Sequence, residues 1–144
     1  MWRLTMVLLF IFLITGTISD LRSRSIPVLL FIIFGMTGVT EYIISGDRSL
    51  MNEAFGVILG VVFIAISVIS ESKLGMGDAL AVLVTGIYLG GSEAACAVLY
   101  AMLMTALFSV IILALRKGNR STALPFLPFL LAGCTLQQVL EANL

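Results

Sequence analysis

The chain of 144 residues has no histidine, two cysteines and three prolines, and only 11% of its residues are charged. Without histidine there is no imidazole base, and the commonest metal ligand is missing. Cys96 and Cys134 lie in apolar runs and form no C-x-x-C pair, so neither a zinc site nor a disulfide framework is indicated. We expect no metal and no organic cofactor, and we interpret both cysteines as packing residues.

Charges of the two signs are balanced, with eight Lys and Arg against eight Asp and Glu. The sequence contains no block of basic residues, so a nucleic-acid partner is not indicated. Hydrophobic residues make up 60% of the chain and the mean hydropathy is +1.18, whereas soluble domains average about 45–50% apolar residues. The composition therefore predicts an integral membrane protein whose partner is the lipid bilayer, and the length fits a single domain over residues 1–144.

Six apolar runs are candidates for transmembrane helices, which need about 17–25 residues. They cover residues 2–18, 28–45, 54–70, 78–90, 94–115 and 125–140. The first run has features of a secretory signal, but further apolar runs follow it directly, and we interpret it as a helix. The fourth run is short and ends in glycine, so its start can lie inside the protein. The predicted fold is an all-α membrane protein, a polytopic bundle of six transmembrane helices.

Orientation follows from the Lys and Arg residues that flank the spans. In a six-span arrangement, six of the eight basic residues fall on one side of the membrane: Arg22, Arg24, Lys73, Arg116, Lys117 and Arg120. The other side has only Arg3 and Arg48. The positive-inside rule places the larger group in the cytoplasm and both termini outside. Asp20 and Asp78 then lie on the same, cytoplasmic side.

Six of the eight acidic residues are adequately explained as solvated or boundary charges: Glu41, Asp47, Glu53, Glu71, Glu93 and Glu141. Of these, Glu41 lies within the second run, where it can reach the interface or pair with Arg48. The other two have less ordinary neighbours, since Asp20 opens the turn "DLRSRSIP" and Asp78 closes "GMGD". On spacing alone, an unrelated interfacial acid and an Asp helix cap explain them as well as a functional pair does.

Three stretches give the sequence a resemblance to a known family. They are "SDLRSRSIP" at residues 19–27, "GMGD" at 75–78 and "LPFLPFLLAG" at 124–133. In this order they resemble the type IV prepilin peptidases and the related preflagellin peptidases, which are membrane aspartyl proteases of the GxGD kind. The resemblance covers nearly the whole chain. It departs from the family at Leu80, where a Lys is frequent, and at Val28, where an Asn often follows Ile-Pro.

The resemblance implies a function and a set of site residues. Asp20 and Asp78 would be the catalytic pair of an aspartic endopeptidase, and Gly75 and Gly77, with Pro27, would shape the active site. The implied substrate is a pilin-like precursor, whose basic leader peptide is removed at the cytoplasmic face of a prokaryotic plasma membrane. Larger members of the family also methylate the product through a region with paired C-x-x-C motifs, and we expect no such activity from this chain.

The chemistry of such a pair follows from general electrostatics. Two neighbouring carboxyl groups share a proton and titrate as a pair, so that one activates a water while the other polarises the scissile carbonyl. A helix N-terminus favours an anion and a C-terminus disfavours one. We therefore predict that Asp78 is the base and Asp20 the proton donor in the free enzyme.

Two other functions stay open on the sequence. The first is a GxGD intramembrane protease of other specificity. The second is a small transporter or a non-catalytic scaffold subunit, because acidic residues within membranes can mark ion pathways. The sequence makes no prediction about oligomeric state.

Overall fold

The computed structural model describes residues 2–23, 26–46, 49–70, 75–115 and 125–143. These residues form six helices and, within these ranges, no strand. The helices are α1 Trp2–Ser23, α2 Val28–Ser45, α3 Leu50–Ile69, α4 Met76–Leu89, α5 Gly91–Ala114 and α6 Leu127–Asn143. The predicted all-α fold of six helices is confirmed.

Four of the six helices are long and apolar enough to cross a membrane: α1, α2, α3 and α5. The expected short fourth helix has 14 residues, or about 21 Å at 1.5 Å per residue, against about 30 Å of bilayer hydrocarbon. The sixth has 17 residues. The bundle therefore combines four full-length spans with two shorter helices.

The largest single difference from the predicted spans is at the end of the first helix. This helix continues beyond residue 18 to Ser23, because no glycine or proline interrupts the polar residues before Pro27. The second helix agrees with its predicted span of 28–45. It begins after Pro27 and ends at Gly46, which adopts a left-handed conformation with φ of 60°, as is common after a helix C-terminus.

α4 is the central helix of the bundle and packs against α1, α2, α3 and α5. Eight of its 14 residues are buried, including Val82, Thr85 and Tyr88. By contrast, α2 and α3 expose many large apolar side chains, such as Ile43, Leu50 and Ile69. An outer apolar surface around a buried central helix is the distribution that lipid as solvent favours.

Close glycine contacts pack α3 against α4. A Cβ atom added to Gly56 would lie 2.3 Å from the carbonyl oxygen of Gly86, and one added to Gly60 would lie 2.4 Å from the Cα of Leu83. The pairing of 56 with 86 and of 60 with 83 shows that the two helices run antiparallel. Small residues permit this approach where lipid provides no hydrophobic drive between helices.

α1 packs antiparallel to α2 on another side of the bundle. The Phe12 ring lies 5.9 Å from the Phe31 ring and 5.4 Å from the Phe34 ring, centroid to centroid. Nearer the start of α1, the buried Thr5 hydroxyl donates a hydrogen bond to Oε1 of Glu41. Glu41 therefore has a partner within the bundle. The partner that the sequence suggested for Glu41, Arg48, lies outside the described residues.

The α4–α5 junction is a tight turn that contacts the start of α3. Gly90 has φ of 79°, a conformation that favours glycine. The Oδ1 atom of Asn52 accepts hydrogen bonds from the backbone N–H of Ser92, at 3.1 Å, and from its hydroxyl, at 3.2 Å. Asn52 thus satisfies one of the N–H groups that a helix start leaves without an intrahelical partner.

Candidate active site

Asp20 lies in the last turn of α1, which ends at Ser23. It is half-buried. Its Oδ2 atom is buried and has no hydrogen-bond partner among the described residues. A buried carboxylate oxygen without a protein partner carries a large desolvation cost, so a structural role alone does not explain an acid at this position.

Asp78 is the third residue of α4, which begins at Met76 after Gly75. The N–H groups of Asp78 and Ala79 donate to the carbonyl of Gly75, at 3.0 and 3.2 Å. The N-cap residue of this helix is Gly75, so the explanation of Asp78 as the helix cap is wrong. Its position in the first turn places the carboxyl group near the positive end of the helix dipole.

The structure brings Asp20 and Asp78 together, because α1 contacts α4 and the two carboxyl groups interact electrostatically. One belongs to a helix C-terminal turn and the other to a helix N-terminal turn. These positions are the ones on which the assignment of Asp78 as base and Asp20 as donor was based. The assignment itself stays a prediction.

The two glycines of "GMGD" have different surroundings. A Cβ atom at Gly75 would lie 2.9 Å from Oδ2 of Asp78, whereas one at Gly77 would meet only the Cδ1 atom of Ile26, at 3.5 Å. Gly75 therefore leaves room for the carboxyl group itself. Gly77 lies near Ile26, so the first two sequence motifs are close to each other at this point.

Pro27, the remaining predicted site residue, immediately precedes α2. It is exposed, its φ is −62°, and its carbonyl accepts a hydrogen bond from the N–H of Leu30 at 2.9 Å. The missing N–H of proline costs nothing at a helix start. Pro27 is thus suited to the start of α2, and its neighbour Ile26 lies near Gly77.

The third motif, of which residues 125–133 are described, packs one turn from Asp20. Leu127 begins α6 and is fully buried, and its Cδ2 atom would lie 2.6 Å from a Cβ atom at Gly16. No signal in the sequence pairs Gly16 with Leu127, since the contact depends on how α1 and α6 meet.

Leu80, where the resemblance led us to expect Lys, is a partly buried residue that packs against the hydrophobic core. Val28 is exposed at the start of α2. Several residues of the orientation argument, and Glu71 beside Lys73, lie outside the described residues: Arg24, Arg48, Glu71, Lys73, Arg116, Lys117 and Arg120. Within the described part of the chain, no three His, Cys, Asp or Glu side chains form a group that could hold a metal ion.

One further polar group near Asp20 did not stand out in the sequence. Thr17 lies three residues before Asp20 on α1 and therefore shares its helix face. Its Oγ1 atom is buried without a hydrogen-bond partner among the described residues. The i, i+3 spacing of the two polar residues was the available signal.

Together, the fold and the site define a polytopic helical membrane protein with two interacting carboxyl groups where α1 ends and α4 begins. The chain belongs to the type IV leader peptidase family, whose sequence profile matches residues 7–110. The match includes "SDLRSRSIP" and "GMGD" and ends before the third motif. Membership in this family indicates a peptidase. No curated protein and no solved structure matches the chain.

Proposed function

We propose that this protein is a membrane-embedded aspartic endopeptidase that removes the basic leader peptide of pilin-like precursors. The observation that carries the proposal is the packing of α1 against α4, which brings Asp20 near enough to Asp78 for the two carboxyl groups to interact electrostatically. These two residues belong to separate motifs of a chain in the type IV leader peptidase family. In the proposal, residues 1–144 form a single peptidase domain.

Each member of the pair has a distinct task in the proposed reaction. The ionised carboxyl group accepts a proton from a water, whose oxygen attacks the scissile carbonyl carbon. The protonated carboxyl group donates a hydrogen bond to the carbonyl oxygen, where negative charge develops. After attack, the carboxyl group that accepted the proton from the water transfers it to the leaving amine nitrogen, and the peptide C–N bond breaks. This chemistry requires only water and two carboxyl groups.

We further propose that the site faces the cytoplasm of a prokaryotic cell, with both termini outside. This orientation rests on the distribution of Lys and Arg along the sequence. It would place the pair at the membrane surface where a basic leader is accessible, next to the bilayer that holds the hydrophobic helix of the precursor. Arg22, exposed in the last turn of α1, fits such a boundary position.

Cleavage by the purified protein tests the proposal. The protein, reconstituted in phospholipid nanodiscs, is incubated with a synthetic precursor that has a basic leader, a glycine and a hydrophobic helix. Asp20→Asn and Asp78→Asn keep the side-chain shape but remove the ionisable group. We expect each to lower the cleavage rate by at least about 10³-fold, as loss of an essential catalytic group does.

The matched control is Glu141→Gln, which removes an exposed carboxyl group near the end of α6 and should leave the rate unchanged. Undiminished cleavage by either aspartate variant would contradict the aspartyl mechanism. If the wild-type protein cleaves other membrane peptides but not the precursor, the protease has a different specificity. If it cleaves none, a non-catalytic role is favoured.

A further inference from the structure

Thr17 is an exception among the threonines of this protein. Eight threonines lie in the described residues, and the hydroxyl groups of seven make hydrogen bonds within the protein. Most bond a carbonyl three or four residues earlier, which is how a helix satisfies a hydroxyl group in an apolar environment. The Oγ1 atom of Thr17 is buried and has no such partner in the described part of the chain.

The position of Thr17 relates this hydroxyl group to the candidate site. Residues three apart on a helix are neighbours on one face, with Cβ atoms about 5–6 Å apart, so Thr17 and Asp20 lie side by side one turn apart. Oδ2 of Asp20 is likewise buried without a described partner. A buried hydroxyl group and a buried carboxyl oxygen therefore belong to neighbouring side chains on one face of α1, and neither bonds the other.

Such an arrangement fits a small polar molecule bound between the two groups. A polar pair that does not bond directly is commonly bridged by water, and a buried water needs two to four polar partners. Thr17 and Asp20 supply two of these, and Asp78, which interacts with Asp20, supplies a third. An apolar ligand would leave the Thr17 hydroxyl group and Oδ2 of Asp20 unsatisfied, at considerable cost.

We infer that Thr17 is a further active-site residue, whose hydroxyl group holds the hydrolytic water against the Asp20–Asp78 pair. This inference rests on the proposed aspartyl mechanism. The water donates one hydrogen bond to the ionised carboxyl group and the other to Oγ1 of Thr17, which leaves a lone pair for the scissile carbonyl carbon. When the C–O bond forms, the first hydrogen passes as a proton to the carboxyl group. Thr17 keeps its own proton throughout.

Three substitutions at residue 17 separate the hydroxyl group from the shape of the side chain. Thr17→Val is nearly isosteric but has no hydroxyl group, Thr17→Ala removes both features, and Thr17→Ser retains the hydroxyl group. With the same synthetic precursor in nanodiscs, we expect Val and Ala to lower kcat by about 10- to 100-fold, the scale at which misplacement of a reacting group acts. KM should change less than about twofold, and Ser should restore most of kcat.

Thr15→Val is the matched control on the same helix. The Thr15 hydroxyl group donates to the carbonyl oxygens of Ile11, at 2.7 Å, and Phe12, at 3.0 Å, and the residue is exposed. We expect its kcat and KM to equal those of the wild type. Thermal unfolding of every variant shows whether the bundle is intact.

The inference is overturned if Thr17→Val and Thr17→Ala retain wild-type kcat. It is overturned as well if Thr17→Ser is as slow as the Val and Ala variants, or if the Val and Ala substitutions raise KM without lowering kcat. It is also overturned if only Thr17→Val is slow, because side-chain shape and not the hydroxyl group would then matter. The aspartate variants keep this result distinct from the proposed function. If they are inactive while Thr17→Val is normal, only the role of Thr17 fails; if they are active, the aspartyl mechanism itself fails.

Discussion

Gly75 and Asp78 are in such close contact that a Cβ atom on the glycine would lie 2.9 Å from Oδ2 of the carboxyl group. Gly75 has φ of −58°, a value open to any residue. The backbone conformation therefore does not require glycine at this position. Glycine is required here because the Asp78 side chain occupies the space that a Cβ atom would need.

Substitution of Gly75 should consequently affect activity more than stability. Gly75→Ala would displace the end of a flexible side chain and no backbone atom, so we expect the free energy of unfolding to change by less than about 1 kcal/mol. Because the displaced group is the proposed catalytic carboxyl group, kcat should fall by about 10- to 100-fold. Steady-state kinetics and thermal unfolding of the same preparation measure both effects.

Gly77→Ala provides the comparison for this prediction. A Cβ atom there would make an ordinary van der Waals contact, 3.5 Å from Cδ1 of Ile26. We expect a smaller loss of kcat than for Gly75→Ala. Equal losses in the two variants would mean that the Gly75–Asp78 contact is not what makes residue 75 sensitive.

The α3–α4 contact should be highly sensitive to small additions. Gly56→Ala and Gly86→Ala would each place a Cβ atom 2.3 Å from a backbone oxygen of the facing helix, so the helices must move apart. Overpacking of this kind costs about 1–3 kcal/mol or more. We expect a lower unfolding temperature and, because α4 carries Asp78, a lower cleavage rate as well.

Gly35→Ala is the control, because no atom lies within 4 Å of its added Cβ atom. Alanine is the better helix former by about 0.8–1.0 kcal/mol, so this variant should be as stable as the wild type or slightly more so. If Gly56→Ala were equally stable, the close packing of α3 on α4 would be refuted.

The hydrogen bond from Thr5 to Glu41 should stabilise the packing of α1 on α2. Thr5→Val removes the donor and leaves both carboxyl oxygens of Glu41 without a described partner. We expect a loss of about 0.5–2 kcal/mol in the free energy of unfolding, in the range measured for interhelical hydrogen bonds in membranes. Denaturant-induced unfolding in detergent micelles measures this loss.

Two further variants identify its cause. Thr5→Ser keeps the donor and should retain most of the stability. Addition of Glu41→Leu to Thr5→Val removes the acceptor that was left unsatisfied and should recover part of the loss. Equal destabilisation by Val and Ser at residue 5 would argue that the methyl group, and not the hydrogen bond, stabilises the contact.

A shared proton between Asp20 and Asp78 predicts a specific pH dependence. Activity requires one ionised and one protonated carboxyl group, so kcat/KM should fall at low pH, where both are protonated, and at high pH, where both are ionised. We expect a bell-shaped profile whose two limbs belong to the pair as a whole. A profile that rises to a plateau without a second limb would indicate that only one carboxyl group titrates during catalysis.

Sequence patterns predicted the helices well where local chemistry decides their bounds. α2 was predicted to its first and last residue because Pro27 precedes it and Gly46 follows it. The end of α1 was placed too early because the apolar run ends before the helix does. Polar residues such as Asp20 and Arg22 are compatible with a helical turn at a membrane boundary. Hydropathy alone ends the span before these residues, although the helix continues through them.

The candidate site was predictable in part. An acid at the edge of an apolar span is costly, but spacing alone left unrelated explanations of Asp20 and Asp78 open, and the resemblance of their motifs to a known family indicated a catalytic pair. The different surroundings of Gly75 and Gly77 were not predictable, and neither was the orphaned hydroxyl group of Thr17. Each depends on which atoms face a residue across a helix contact, and that information is absent from the local sequence.

The amino-acid sequence alone indicated that lipid is the solvent of this protein and how many helices it forms, and the resemblance of its motifs to a known family indicated which two carboxyl groups are the catalytic candidates. Composition, run length and turn residues act locally, so they can be interpreted without a fold. Only the tertiary structure decided which helices meet: α4 in the centre, Gly56 against Gly86, and Asp20 beside Asp78. In lipid, the packing of one apolar helix face against another has little hydrophobic driving force. Close packing of small residues therefore determines which helices pair.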